Sequence, residues 1–141
     1  MRLSAALIVS VWQARVAQQR FDDLRGFART VLFDVSDSLM PIPGTTAARK
    51  LLVDTALRYL DRLSEQRRAD PALREELAGA YIRVGRVQGG AFLPNLGETA
   101  GAIASFRRAI DIVGAAPSTP GLERLRIEAH VNLGHLASDP V

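Results

Sequence analysis

Cysteine is absent from this 141-residue chain. Its absence removes disulfide frameworks, thiolate zinc sites, iron–sulfur clusters and cysteine nucleophiles from consideration. Lysine is nearly absent as well, with Lys50 the only one among 18 basic residues. The arginines are scattered, and adjacent pairs occur only at Arg67-Arg68 and Arg107-Arg108. A nucleic-acid footprint is a clustered basic stripe. A net charge of +3 dispersed in this way instead predicts a solvated helical surface and no nucleic-acid partner. Aromatics make up only 6% of the residues, and no segment alternates apolar with polar residues as a half-buried strand does.

Catalytic constellations are missing too. The two histidines, His130 and His135, are five residues apart. On a helix that separates them by about 140°, so they do not share a face for a metal. The carboxylates Asp22-Asp23, Glu75-Glu76 and Asp34/Asp37 are candidates for acid–base pairs, but they read as surface and capping charge. There is no nucleophile elbow, no glycine-rich phosphate loop, and no His-Arg-Asp or Asp-Phe-Gly motif. The sequence thus predicts no catalytic residue, no cofactor and no metal.

What is present is apolar and helix-forming. Apolar residues reach 48%, with Ala, Leu and Arg frequent, and side chains of these types lose little freedom in a helix. The length suits one domain with a sizeable core. Five helical segments are separated by breakers. The first runs from Arg2 to about Val35 and carries the stripe Phe21, Leu24, Phe27, Ala28, Val31 and Leu32. The Pro41-Ile42-Pro43-Gly44 turn ends it, and Thr45 or Thr46 is placed to cap the second helix, whose stripe is Leu52, Ala56, Tyr59, Leu60 and Leu63. Asp70-Pro71 opens the third helix, with Leu73, Leu77, Tyr81 and Val84 inward, and Gly89-Gly90 closes it. The fourth helix carries Ala102, Ile103, Phe106, Ala109, Ile110 and Val113; the fifth starts at Thr119-Pro120 and runs through Leu122, Leu125, Ala129, Leu133 and Leu136. The expected class is all-α.

The N-terminal run Leu3 to Trp12 is apolar but shorter than the roughly 20 residues a membrane helix needs. Three readings of it stay open: the apolar part of a signal peptide, the end of a membrane helix with Trp12 at the interface, or a helix packed on its own domain.

The third and fourth segments carry an ordered repeat signal. Leu77-Ala78 and Tyr81 stand where the first helix of a tetratricopeptide hairpin has its Leu-Gly/Ala pair and Tyr; Ala102, Phe106 and Ala109, followed by Pro117, match its second helix. Small residues let such helices cross closely, and aromatics fill the gaps. From Tyr81 to Ala102 is 21 residues, where the pattern has about 9, so the turn carries an insertion of about 12. A second copy begins at Leu133-Gly134, and the helix over 51–63 resembles the second helix of a degenerate preceding repeat. Together these predict tetratricopeptide-like hairpins over residues 20–141, after a membrane or juxtamembrane segment over residues 1–19.

Further residues carry a narrower likeness. They are Arg20-Phe21-Asp22-Asp23-Leu24-Arg25, Leu32-Phe33-Asp34, Ile42-Pro43-Gly44-Thr45-Thr46-Ala47-Ala48-Arg49, Ala56-Leu57-Arg58-Tyr59-Leu60-Asp61, Glu76-Leu77-Ala78-Gly79-Ala80-Tyr81 and Asn95-Leu96-Gly97. Through them the chain resembles the region that follows the membrane helix in bacterial transmembrane serine/threonine protein kinases with tetratricopeptide sensor domains. That resemblance implies a non-catalytic interaction or sensor module with its repeats outside the cytoplasm and membrane contact through residues 3–14. The kinase motifs are absent, so kinase activity is not implied for this chain. The alternative is a free-standing scaffold, or an accessory domain of a transcriptional regulator, in the cytoplasm.

The expected partner is a protein or peptide, held on the hairpins by Tyr59, Arg83 and Arg86. Arginines on such a surface suit an acidic segment or a terminal carboxylate. Phe92, Leu93 and Asn95 of the inserted turn either anchor a partner or plug the groove between helices, and the Asn-Gly content favours a fixed plug. The incomplete terminal repeat at Leu133-Gly134 is also a place for self-association.

Overall fold

In the computed structural model, residues 2–39, 41–65, 71–91, 94–114 and 118–138 are described. Six α-helices and one π-helical turn account for the regular structure among them, and no strand occurs, so the fold is all-α. The chain divides into two compact units, Met1–Ser38 and Leu39–Val141.

The first unit is a single long helical rod. Helix α1, Arg2–Arg29, passes into a π-helical turn, Thr30–Asp34, and then into the short α2, Val35–Leu39. Arg29 (φ −60°) and Val35 (φ −67°), which flank the wider turn, both stay right-handed helical, so the path is not broken there. Helix persists past Val35, further than the Ser36-Asp37-Ser38 composition suggests. Ser38 explains this locally: its hydroxyl donates to the Asp34 carbonyl at 2.7 Å, so it bonds back one turn rather than ending the helix. Phe33 is buried. The side chains of Phe21, Leu24, Phe27, Ala28, Val31 and Leu32 lie outside the described set.

The second unit holds the core. After the turn at Pro41–Gly44, which needs the positive φ of Gly44 (81°), come α3 (Thr46–Glu65), α4 (Pro71–Gly89), α5 (Thr99–Gly114) and α6 (Pro120–Ser138). Helix α4 is the hub, packing most extensively on α5 and also on α3 and α6. Proline occupies the first position of both α4 and α6, where its missing N–H costs nothing. The last helix opens at Thr119-Pro120 as expected, and the Thr119 hydroxyl caps it by accepting the Leu122 N–H at 3.2 Å. Asp70, the expected cap of α4, lies outside the described residues.

Two expectations are corrected. Thr45 immediately precedes α3, but its hydroxyl lies 2.9 Å from the Leu39 carbonyl and 2.8 Å from that of Ile42. It donates back into the preceding turn instead of accepting from the new helix. The inward stripe of α3 is also rotated: Arg49, Val53, Ala56, Leu60 and Leu63 are buried, whereas Leu52 and Tyr59 are half-buried. A spacing of 4, 3, 4 and 3 fits one helical face better than a stripe that includes Leu52.

Candidate functional site

The α4–α5 hairpin is where the sequence-predicted repeat residues gather. Leu77, Ala78 and Tyr81 of α4 and Ala102, Phe106 and Ala109 of α5 are all exposed by 1% or less. Close approach of the two helices rests on glycines. A Cβ at Gly85 would stand 2.7 Å from the Phe106 ring, and one at Gly89 would stand 3.2 Å from the Ala102 Cβ. An ordinary side chain at position 85 would push Phe106 out of its place. Full burial of side chains such as Leu77, Ile82, Val84 and Phe106 contributes about 1.5–3 kcal/mol each.

A polar network crosses this core. Tyr81 donates its hydroxyl to Asp61 Oδ1 at 2.5 Å, Ser64 donates to the Asp61 carbonyl at 2.9 Å, and Arg108 donates to Ser64 Oγ at 2.9 Å. The network ties α3, α4 and α5 together. Burial, and then the hydrogen bond to Asp61, pushes the Tyr81 phenol up to about 12. A phenol that holds its proton this firmly is a structural donor and a poor base.

The connection between α4 and α5 folds back on α4. Leu96 N–H donates to the Val87 carbonyl (2.9 Å) and Glu98 N–H to the Gln88 carbonyl (2.7 Å), satisfying the end of α4. Asn95 donates its side-chain amide to the Gly90 carbonyl at 2.8 Å and accepts the Gly97 N–H at 2.8 Å. Its polar groups shape the loop. Phe92 and Leu93, the apolar tip of the predicted anchor, lie outside the described residues, and so does Pro117.

The other predicted contact residues are distributed as follows. Tyr59 on α3 and Arg83 on α4 are half-buried. Arg86, one turn after Arg83, forms an ion pair with Glu128 of α6 at 2.5 Å. That contact gives Arg86 a role between two helices of this chain. Leu133 is half-buried and Gly134 is exposed, with nothing within 4 Å of a Cβ built on Gly134. Both histidines are exposed, and no group of three metal-ligating residues occurs among the described residues. Asp22 meets Gln18 at 3.1 Å and Arg25 at 3.8 Å along its own helix.

Two charged residues that matter were not visible in the sequence pattern. Arg74 is 1% exposed and donates through Nε to the Ile112 carbonyl (3.2 Å) and through Nη2 to the Val113 carbonyl (3.1 Å). A cation thus closes the negative end of α5. Its neighbour Glu75 lies against Gly121, where a Cβ would overlap the carboxylate, in the first turn of α6. Consecutive residues of opposite charge on α4 therefore face helix ends of opposite polarity. Arg49 is the second case: it is buried, and its Nε and Nη2 have no hydrogen-bond partner. Nothing in the local sequence distinguishes either arginine from the solvated ones.

On the first unit, Leu7, Ile8, Val9, Val11 and Trp12 are exposed, and Leu7, Ile8, Val11 and Trp12 share one side of α1. Among the described residues, no helix is long and apolar enough to cross a membrane. Compared with protein-family models, curated proteins and solved structures, the chain matches none.

Proposed function

We propose that residues 39–141 form a tetratricopeptide-like, non-catalytic module that binds a protein or peptide partner within a bacterial membrane signalling protein. The observation that carries this reading is the α4–α5 hairpin, in which six repeat-pattern positions are buried together where two helices cross closely over Gly85. Packing of α4 against both α3 and α6 supports it, because stacked hairpins bury their faces against neighbours in this way. The surface offered to a partner is the part of α3 and α4 that carries Tyr59 and Arg83, whose guanidinium suits an acidic ligand.

Selection of peptides from a random display library against the purified chain tests the binding role. Enriched acidic peptides should bind saturably, and Arg83→Glu should weaken them at least tenfold while leaving the helical content unchanged. Enrichment no greater than on an unrelated helical protein would refute it. The membrane part is tested separately by the reading frame upstream of Met1: an open frame encoding a membrane helix and a kinase domain is expected, and an immediate stop codon contradicts it.

A further inference from the structure

The net charge of +3 has a single location in the chain. Residues 1–21 hold Arg2, Arg15 and Arg20 and no Asp or Glu. The rest of the chain, with 15 acidic residues against the 15 other basic ones, is neutral. Such an asymmetry points to a negatively charged partner for the first segment.

The same stretch is where large apolar side chains meet solvent. Leu7, Ile8, Val11 and Trp12 share one side of α1 and are between 50% and 69% exposed. Arg15, also exposed, lies on that side one turn beyond Val11. The opposite side carries Ala6, Ser10, Gln13 and Ala17, which are small or polar and exposed. Among the described residues no helix is long and apolar enough to cross a membrane. An apolar side joined to arginine, backed by a small and polar side, suits a helix lying in the plane of a lipid surface.

Charge selects the occupant of this face. A second copy of α1 would bring a like-charged segment against the first, and in a parallel pair Arg15 would meet Arg15. An anionic lipid surface complements the charge and takes up the apolar side chains. It also lets the Arg15 stem lie along hydrocarbon while the guanidinium reaches a lipid phosphate. Trp12 lies between the apolar residues and Arg15 in the chain, and indole rings collect at the matching depth of a bilayer.

We propose that α1 docks in the plane of an anionic lipid surface, with Leu7, Ile8, Val11 and Trp12 turned into the boundary between headgroups and acyl chains and Arg15 on lipid phosphate. This orientation differs from the end of a spanning helix, which runs along the bilayer normal with lipid on every side. The proposal concerns the first unit alone and does not rest on the peptide-binding role of residues 39–141.

Trp12 is the only tryptophan in the chain, so its emission reports on this face directly. The test titrates the full chain with vesicles of phosphatidylcholine alone and of an equimolar mixture with phosphatidylglycerol. A saturable blue shift is expected with the anionic vesicles, with neutral vesicles bound more weakly by roughly tenfold or more. Raising the salt concentration should weaken the anionic binding. Arg15→Gln should lower the affinity about fivefold. Ile8→Asp, at an exposed position that leaves the helical content unchanged, should lower it by roughly tenfold or more. Unchanged Trp12 emission with anionic vesicles, equal affinity for the two vesicle types, or Ile8→Asp binding as tightly as the parent would overturn the proposal. A blue shift that grows with protein concentration in the absence of lipid would make the occupant a second copy. Binding that is insensitive to salt would indicate a spanning helix, and either result also overturns the proposal.

Discussion

Leu7, Ile8, Val9, Val11 and Trp12 of α1 are each at least half exposed, whereas Leu77, Ala78 and Tyr81 of α4 and Ala102, Phe106 and Ala109 of α5 are buried to 1% or less. Both regions are helical and apolar, so hydrophobicity does not separate them. Close packing does. On α1, Leu7, Ile8, Val11 and Trp12 share one side of the helix and yet stay at least half exposed. On α4 and α5 the apolar residues recur on one stripe, and glycine or alanine stands where the backbones approach. Burial here follows from a facing surface that small residues allow to come close.

Matched truncations should make the contrast plainest. Phe106→Ala is expected to destabilise the chain by about 3–5 kcal/mol in urea unfolding, since it empties a fully enclosed ring site. Trp12→Ala removes a larger side chain and should change stability by no more than about 0.5 kcal/mol. Comparable losses from the two would erase the distinction between the regions.

Next in size, Arg74→Met should cost about 1–3 kcal/mol, because the Ile112 and Val113 carbonyls lose a charged donor in a buried setting. A melting temperature unchanged from the parent would show that α5 ends without this clasp.

Near neutral pH a smaller effect is expected at Tyr81, joined by a larger one at alkaline pH. Its phenol is held near 12 in the folded chain, against about 10 when unfolded. A raised folded value means that the contribution is complete below pH 10 and is lost as pH rises through 12. The two-unit gap is worth about 2–3 kcal/mol over that window. Tyr81→Phe should cost about 1 kcal/mol near neutral pH through the lost bond to Asp61. It should also flatten the alkaline decline; an equally steep decline in the variant would assign the loss to other groups.

Much of the second unit was legible in the sequence for definite physical reasons. Pro71 and Thr119-Pro120 marked helix starts because proline at the first helical position needs no N–H partner. The spacing of Leu77, Tyr81, Phe106 and Ala109 marked the buried faces. The sequence was silent where a polar residue changes role through tertiary placement. Arg74 and Arg49 look like any exposed arginine until a helix end or an interior lies beside them. Thr45 looked like a cap, but its hydroxyl found carbonyls behind it. Helix also continued past Ser36-Asp37-Ser38, because a serine that bonds to the carbonyl four residues back is compatible with a helix. Of the predicted contact residues, Arg86 is engaged by Glu128 and Asn95 by its own loop, pairings that separations of 42 and 5 residues in the chain do not announce.

The central claim is that the core is defined by a close α4–α5 crossing, with Gly85 present so that the Phe106 ring can lie against the backbone. A double-mutant cycle between Gly85→Ala and Phe106→Leu measures this coupling directly by urea unfolding. Gly85→Ala alone should cost about 1–3 kcal/mol, and in the Phe106→Leu background, where a smaller side chain can yield, it should cost at least 1 kcal/mol less. Additive costs, or a Gly85→Ala variant as stable as the parent, would contradict the crossing described here.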